Sequence, residues 1–304
     1  MKSGLDYLPE PKRRELTRIV EILFSEFEAA IAGGKSEAKR QGQILKVILF
    51  GSYARGDWVD DPVGGYVSDY DLLVVVNDEK LTDVLEFWAG ADEQLLREYQ
   101  VTHKLTAPAN FIVHSLDDLN KRLKRGQYFF LDIVRDGVAL YAAPGHPLER
   151  PKKLKPAEAL KEAQGYFDEW FPSAAAFGSG AQFYIAQGRP KEAAFSFHQA
   201  TERLYHCLLL VLTLYSPKSH KLNFLRSQCE QLVPELVEAW PRATRFEQRC
   251  FELLRRAYVD ARYSPHYRIS PEELAWLSGR IGVLQELVKQ ACEARLEALR
   301  REAS

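Results

Sequence analysis

The sequence predicts an α+β domain, a mixed sheet with flanking helices, followed by an all-α bundle, on three observations. The first half alternates short runs of strand length and composition with stretches of helical spacing. Beyond about Pro156 the helical spacing is nearly continuous and no alternating strand pattern occurs. Between the two, Pro144, Pro147, Pro151 and Pro156, interleaved with Lys and Glu, read as a linker. The expected organisation is a first domain over 1–148, a linker over 149–156 and a helical domain over 157–304. At 304 residues, each part is large enough for its own core.

Pro11 to Ile31 places Leu16, Ile19, Val20, Leu23, Phe24 and Phe27 at helical spacing, and Gly33-Gly34 ends that helix. Ile44 to Phe50 and Leu72 to Val76 are apolar runs of strand length. Leu81 to Tyr99 returns to helix, Ala109 to His114 is a strand, and Ser115 opens a helix with Asp117 and Asp118 in its first turn. Tyr128 to Val134 reads as a packing helix, and Val138 to Tyr141 as a last strand. The second half predicts helices over Ala157–Phe171, Pro190–Tyr215, Lys221–Cys229, Pro234–Ala239, Arg242–Ala261 and Pro271–Arg301.

A hydrophobic content of 46%, a charged content of 27% and a net charge of −1 describe a globular chain with no global basic field for nucleic acid. The four cysteines, 207, 229, 250 and 292, are scattered without C-x-x-C spacing and read as reduced thiols of a cytoplasmic protein. No stretch is long and apolar enough for a membrane span, so no membrane partner is expected.

The chemistry is concentrated between residues 50 and 76. Gly51 and Ser52 end a strand and offer backbone N–H groups and a hydroxyl to a phosphate. Asp69 and Asp71, spaced i, i+2 at the head of a strand, share one face. Two carboxylates that close call for a cation, and a hard divalent ion carrying a nucleotide triphosphate fits their oxygen ligands.

Taken together, Gly51, Ser52, Ala54, Arg55, Gly56, Ser68, Asp69, Asp71 and Leu72 resemble the nucleotidyltransferase signature of the DNA polymerase beta superfamily, in its minimal and aminoglycoside-modifying branches. That resemblance implies transfer of a nucleoside monophosphate, AMP from ATP foremost, to an acceptor hydroxyl. It makes Asp69 and Asp71 the catalytic Mg²⁺ ligands, and Gly51, Ser52, Arg55 and Ser68 the nucleotide-binding residues. Two departures stand out. Eleven residues, Asp57 to Val67, separate Gly56 from Ser68 as a rim loop. Active relatives also carry a third carboxylate on a neighbouring strand. The corresponding stretch here, Ala109 to His114, has only Asn110 and His114 as polar side chains. A nucleotide-binding sensor with little turnover is therefore a competing expectation.

In the second half, Ala193 to Leu210, Pro217 to Leu225 and Ala257 to Tyr263 resemble successive helices of HEPN domains. This implies a helical module that contacts nucleotide or acceptor and dimerises. It also opens RNA as a partner, through a ribonuclease effector of toxin-antitoxin or defence type. The Arg-and-His pair of HEPN ribonucleases finds its counterpart in Arg262 and His266, with only three residues between them and Pro265 disfavouring helix at Ser264. On the opening helix, His198, Glu202 and Tyr205 share one face at i, i+4 and i+7, with His206 beside them.

Overall fold

A computed structural model describes residues 4–61 and 66–304, and the chain divides into two units, Met1–Lys153 and Leu154–Ser304. The first begins with α1 (Glu10–Ile31) and the short α2 (Glu37–Arg40), capped by the Ser36 hydroxyl. Strand β1 (Ile44–Phe50) runs into a five-residue helix, α3 (Gly51–Arg55). Gly51 (φ 73°) and Gly56 (φ 92°) bracket that helix in the left-handed region, where a side chain is strained. The predicted rim loop contains β2 (Asp60–Asp61) and β3 (Tyr66–Val67), paired antiparallel, while residues 62–65 of it lie outside the described residues.

Strand β4 (Tyr70–Val76) then crosses the unit. A 3₁₀ turn at Glu79–Thr82 leads into α4 (Val84–Phe87) and α5 (Ala89–Gln100). The single helix expected over 81–99 is thus three pieces. The Asp83 carboxylate accepts the Glu86 N–H and restarts the helix, and the Trp88 indole donates to the Leu81 carbonyl across the break. After these come β5 (Ala109–Ser115), α6 (Leu116–Arg125), α7 (Tyr128–Asp136) and β6 (Val138–Ala142). The sheet order is β5-β4-β1-β6; β4 and β5 are parallel, and β1 is antiparallel to both β4 and β6.

Every residue of β1 and β4 is buried, because helices cover both faces of the sheet. Leu16, Ile19, Leu23 and Phe27 of α1 pack with Val47, Leu49, Leu72, Val74 and Val76 on one face. Phe50, pointing the other way, meets Phe129 of α7 edge-on, with 5.5 Å between ring centroids. Alternation therefore puts Tyr70 on the α1 face and Asp71 on the α7 face.

The second unit is helical throughout its elements: α8 (Pro156–Ala186), α9 (Pro190–Thr213), α10 (Leu222–Leu232), a 3₁₀ turn (Pro234–Ala239), α11 (Arg245–Tyr263) and α12 (Pro271–Ala303). Helix α8 extends past the expected end at Phe171, with Pro172 inside it. An internal proline costs about 3 kcal/mol. Packing of α8 along α9 and α12, with Ala174 and Ala181 buried, opposes that cost. Capping boxes at Thr244 and Ser270 start α11 and α12. Helix α9 lies at the centre, packed against α8, α10, α11 and α12. Among the described residues no helix is long and apolar enough to cross a membrane, and all four cysteines are buried.

Candidate active site

The register of three strands assembles the predicted site. Phe50, the last residue of β1, pairs with Asp71, and Asp71 pairs with Asn110 of β5. Asp71 is fully buried and Asp69, just before the strand, nearly so. The Asn110 amide nitrogen donates to Asp69 Oδ2 at 2.8 Å. The residue standing where an acid was sought is thus in direct contact with the first aspartate.

Ser52 lies in α3, which packs on β1 and β4. Its hydroxyl is buried and has no hydrogen-bond partner among the described residues. A buried hydroxyl without a partner carries a desolvation cost that an incoming acceptor relieves. Arg55, at the end of α3, is exposed and its Nε donates to Asp57 at 3.1 Å. Ser68 holds the insert instead of facing outward: its N–H donates to the Val59 carbonyl at 2.8 Å, and its Oγ accepts the Val59 N–H at 2.9 Å. The Ser68 hydroxyl proton is still available for donation.

A buried polar network underlies this edge on the α1 face. Tyr70, between the two aspartates in sequence, donates its hydroxyl to Glu15 at 3.1 Å. Glu15 also accepts the Thr106 N–H at 2.9 Å and the Thr106 hydroxyl at 2.8 Å. Lys12 reaches Thr106 Oγ1 at 2.7 Å and pairs with Asp60 of the insert at 3.3 Å. Burial pushes the Tyr70 and Tyr53 phenols far up, so both stay protonated. This network was not legible in the sequence, since its hydrogen bonds join separate segments of the chain, 55 to 94 positions apart.

His114 does not reach the aspartates. It lies four residues along β5 from Asn110, about 13 Å at 3.3 Å per residue, and its Nδ1 meets Asp118 at 2.7 Å. Arg122 Nε donates to the same Asp118 oxygen at 2.6 Å. Burial works against the Asp118 charge, yet the His114 and Arg122 hydrogen bonds hold its carboxyl well below the usual range. Asp132, on α7, pairs with Arg135 at 2.9 Å, and α7 packs on α3. Burial raises its pKa, while the charges of Arg135 and Arg55 lower it.

In the helical unit, Arg262 and His266 are not brought together: α11 ends at Tyr263, and no hydrogen bond, ion pair or ring contact joins the two among the described residues. Arg262 donates to the Tyr258 carbonyl at 2.6 Å and lies 4.4 Å from the Tyr258 ring centre. The polar cluster forms around Glu202 instead. His220 Nδ1 sits 3.1 Å from both Glu202 oxygens, His198 Nδ1 at 3.7 Å and His206 Nε2 at 4.0 Å. His220 stacks on Tyr258 at 4.6 Å between centroids. Burial pushes His198 down to about 3 and His206 down to about 4, so both imidazoles are neutral at pH 7. Burial also raises the Glu202 pKa. Tyr205 faces elsewhere, its hydroxyl accepting from the Trp240 indole at 2.8 Å.

Residues 35–124 match the family described as polymerase beta, nucleotidyltransferase, and residues 167–291 match the HEPN domain. Over 105 residues, 34% of this chain, the sequence is 33% identical to a protein of Methanocaldococcus jannaschii named as a candidate protein adenylyltransferase, covering 86% of that protein. The two family matches, the four-stranded mixed sheet that presents the Gly51-to-Leu72 signature and this relative converge: the chain belongs to the polymerase beta-type nucleotidyltransferase family and carries a C-terminal HEPN domain.

Proposed function

We propose that the sheet unit transfers AMP from ATP to a hydroxyl of an acceptor, with Asp69 and Asp71 holding Mg²⁺. The observation that carries this reading is the buried Ser52 hydroxyl, without a hydrogen-bond partner among the described residues, on a helix packed against the strand that follows Asp69 and contains Asp71. Phosphate oxygens satisfy that hydroxyl, and a divalent ion satisfies the paired carboxylates. Bound there, Mg²⁺ would neutralise triphosphate charge and stabilise an in-line displacement at the α-phosphorus. Ser52 and Gly51 position the phosphates, and Arg55, exposed at the end of α3, offers a guanidinium to the same anion. Asn110 holds Asp69 in place through its amide.

The relative's name makes a protein hydroxyl one candidate acceptor; a small molecule is another. Incubation with labelled ATP and Mg²⁺ tests the reading, with candidate acceptors and with the chain itself as acceptor. Label transfer that disappears in Asp71→Ala is the expected result. Intact ATP after hours of tight binding would favour the sensor reading instead. Dimerisation through the HEPN domain, in line with the family resemblance, is read from sedimentation velocity.

A second reading, RNA cleavage by the helical unit, is favoured by one specific observation. His220 is oriented by Glu202 through Nδ1, leaving Nε2 for a substrate, and Arg262 contacts the same Tyr258 ring. On this reading His220 takes the place of His266 beside Arg262. RNA degradation lost in His220→Ala and retained in Asp71→Ala would support it, and the reverse dependence would eliminate it.

A further inference from the structure

We infer that the aspartate site holds one divalent cation and not two, because Asn110 fills the adjoining sheet position with a hydrogen-bond donor. This rests on the proposed reading of Asp69 and Asp71 as cation ligands. Strand β5 lies parallel beside β4, and its register sets Asn110 against Asp71. A carboxylate can only accept, so the amide must turn its NH₂ toward Asp69, and Nδ2 lies 2.8 Å from Oδ2. The hydrogens on that nitrogen carry partial positive charge. A cation approaching the same Asp69 oxygen from the β5 side meets them instead of a lone pair.

One Mg²⁺ is well served by what is left. It takes six oxygens, and one or two carboxylates with phosphates and waters are its usual supply. A second ion requires a protein oxygen of its own. His114 is displaced about 13 Å along the strand by its four-residue offset and is bound to Asp118. Asp132 approaches from α7 already paired with Arg135 at 2.9 Å. Among the described residues, no group of three His, Cys, Asp or Glu side chains could hold a metal ion. The amide thus acts on the cation count by occupying Asp69, as a positioning residue and not as a ligand.

Equilibrium dialysis of the full chain against Mn²⁺ and a non-hydrolysable ATP analogue tests this directly, as ions counted per bound nucleotide. The native chain binds one Mn²⁺. Asn110→Asp, nearly isosteric, binds two, and the electron paramagnetic resonance spectrum broadens as two neighbouring Mn²⁺ ions couple. Asn110→Leu, which lacks both donor and ligand, still binds one. Two ions on the native chain, one on a folded Asn110→Asp, or none on Asn110→Leu overturns the inference. Absence of any bound analogue with native protein overturns the nucleotide-site reading itself, and is recognised because the nucleotide count, not the ion ratio, falls to zero.

Discussion

The two units bury ionisable side chains in contrasting ways. In the sheet unit, Asp69, Asp71 and Asn110 meet because backbone register places two chain segments, β4 and β5, side by side, and two carboxylates converge. In the helical unit, His198, Glu202 and His206 meet because they recur every four residues along α9, and neutral imidazoles surround one carboxylate whose own pKa is raised. The first arrangement concentrates negative charge and leaves the Ser52 hydroxyl waiting; the second suppresses charge. On the proposed reading the first arrangement serves phosphate and cation chemistry, while the second keeps the His198 and His206 imidazoles uncharged at neutral pH.

Four substitutions or conditions can break that contrast. The largest effect is expected for Asp71→Ala, which removes a cation ligand and lowers nucleotidyl transfer at least about a hundredfold. The measurement is the rate of label transfer, with circular dichroism reporting an intact fold. Next, Glu15→Ala strips the acceptor shared by Tyr70 and Thr106, leaving the Tyr70 hydroxyl and the Thr106 N–H and hydroxyl without the carboxylate they donate to. It should destabilise the sheet unit by about 3 kcal/mol. A chemical-denaturation midpoint that does not move would mean the network is not supporting the strand that carries Asp71.

The pH response distinguishes the units at a smaller scale. His198 and His206 have folded pKa values held below the ordinary one by burial, so the unfolded chain takes up their protons first. Their contribution is present above about pH 6.5 and is lost as pH falls toward 4, on the order of 2 kcal/mol each between pH 6.5 and 5. Glu202, with a raised pKa, offsets part of this because the folded state takes up its proton first. The helical unit's thermal transition should therefore drop on acidification to pH 5, and His198→Phe should reduce the drop. The smallest effect is Ser52→Ala. Nucleotide affinity should fall about tenfold, roughly 1.4 kcal/mol, while stability stays level or rises, since the buried hydroxyl has no partner to lose among the described residues. A fall in stability without a fall in affinity would make Ser52 a structural residue.

The chain's own text went furthest where geometry is local. Asp69 and Asp71 share a face through strand alternation over three residues, and Gly51 and Gly56 bracket the turn they mark. The helices of the second unit were likewise visible from apolar spacing, as was the sheet's strand composition, whereas the HEPN likeness rested on the resemblance of three segments to a known family. The expected break after Phe171 was misplaced because a proline signals a helix end only when packing does not oppose it, and α9 and α12 oppose it along α8. The 81–99 segment erred in the other direction, since Asp83 caps a new helix where periodicity ran on.

Residue types and short spacings determined the two-part architecture, the family signature and the paired aspartates, because those depend on neighbours within a turn or a strand. Tertiary structure decided what each polar group meets. Asn110 reaches Asp69 across 41 positions, Glu15 reaches Tyr70 across 55, and His220, not His206 on its own helix, makes the close contact with Glu202 across 18. Sheet register and helix packing set those encounters, and no periodicity within a single segment encodes them.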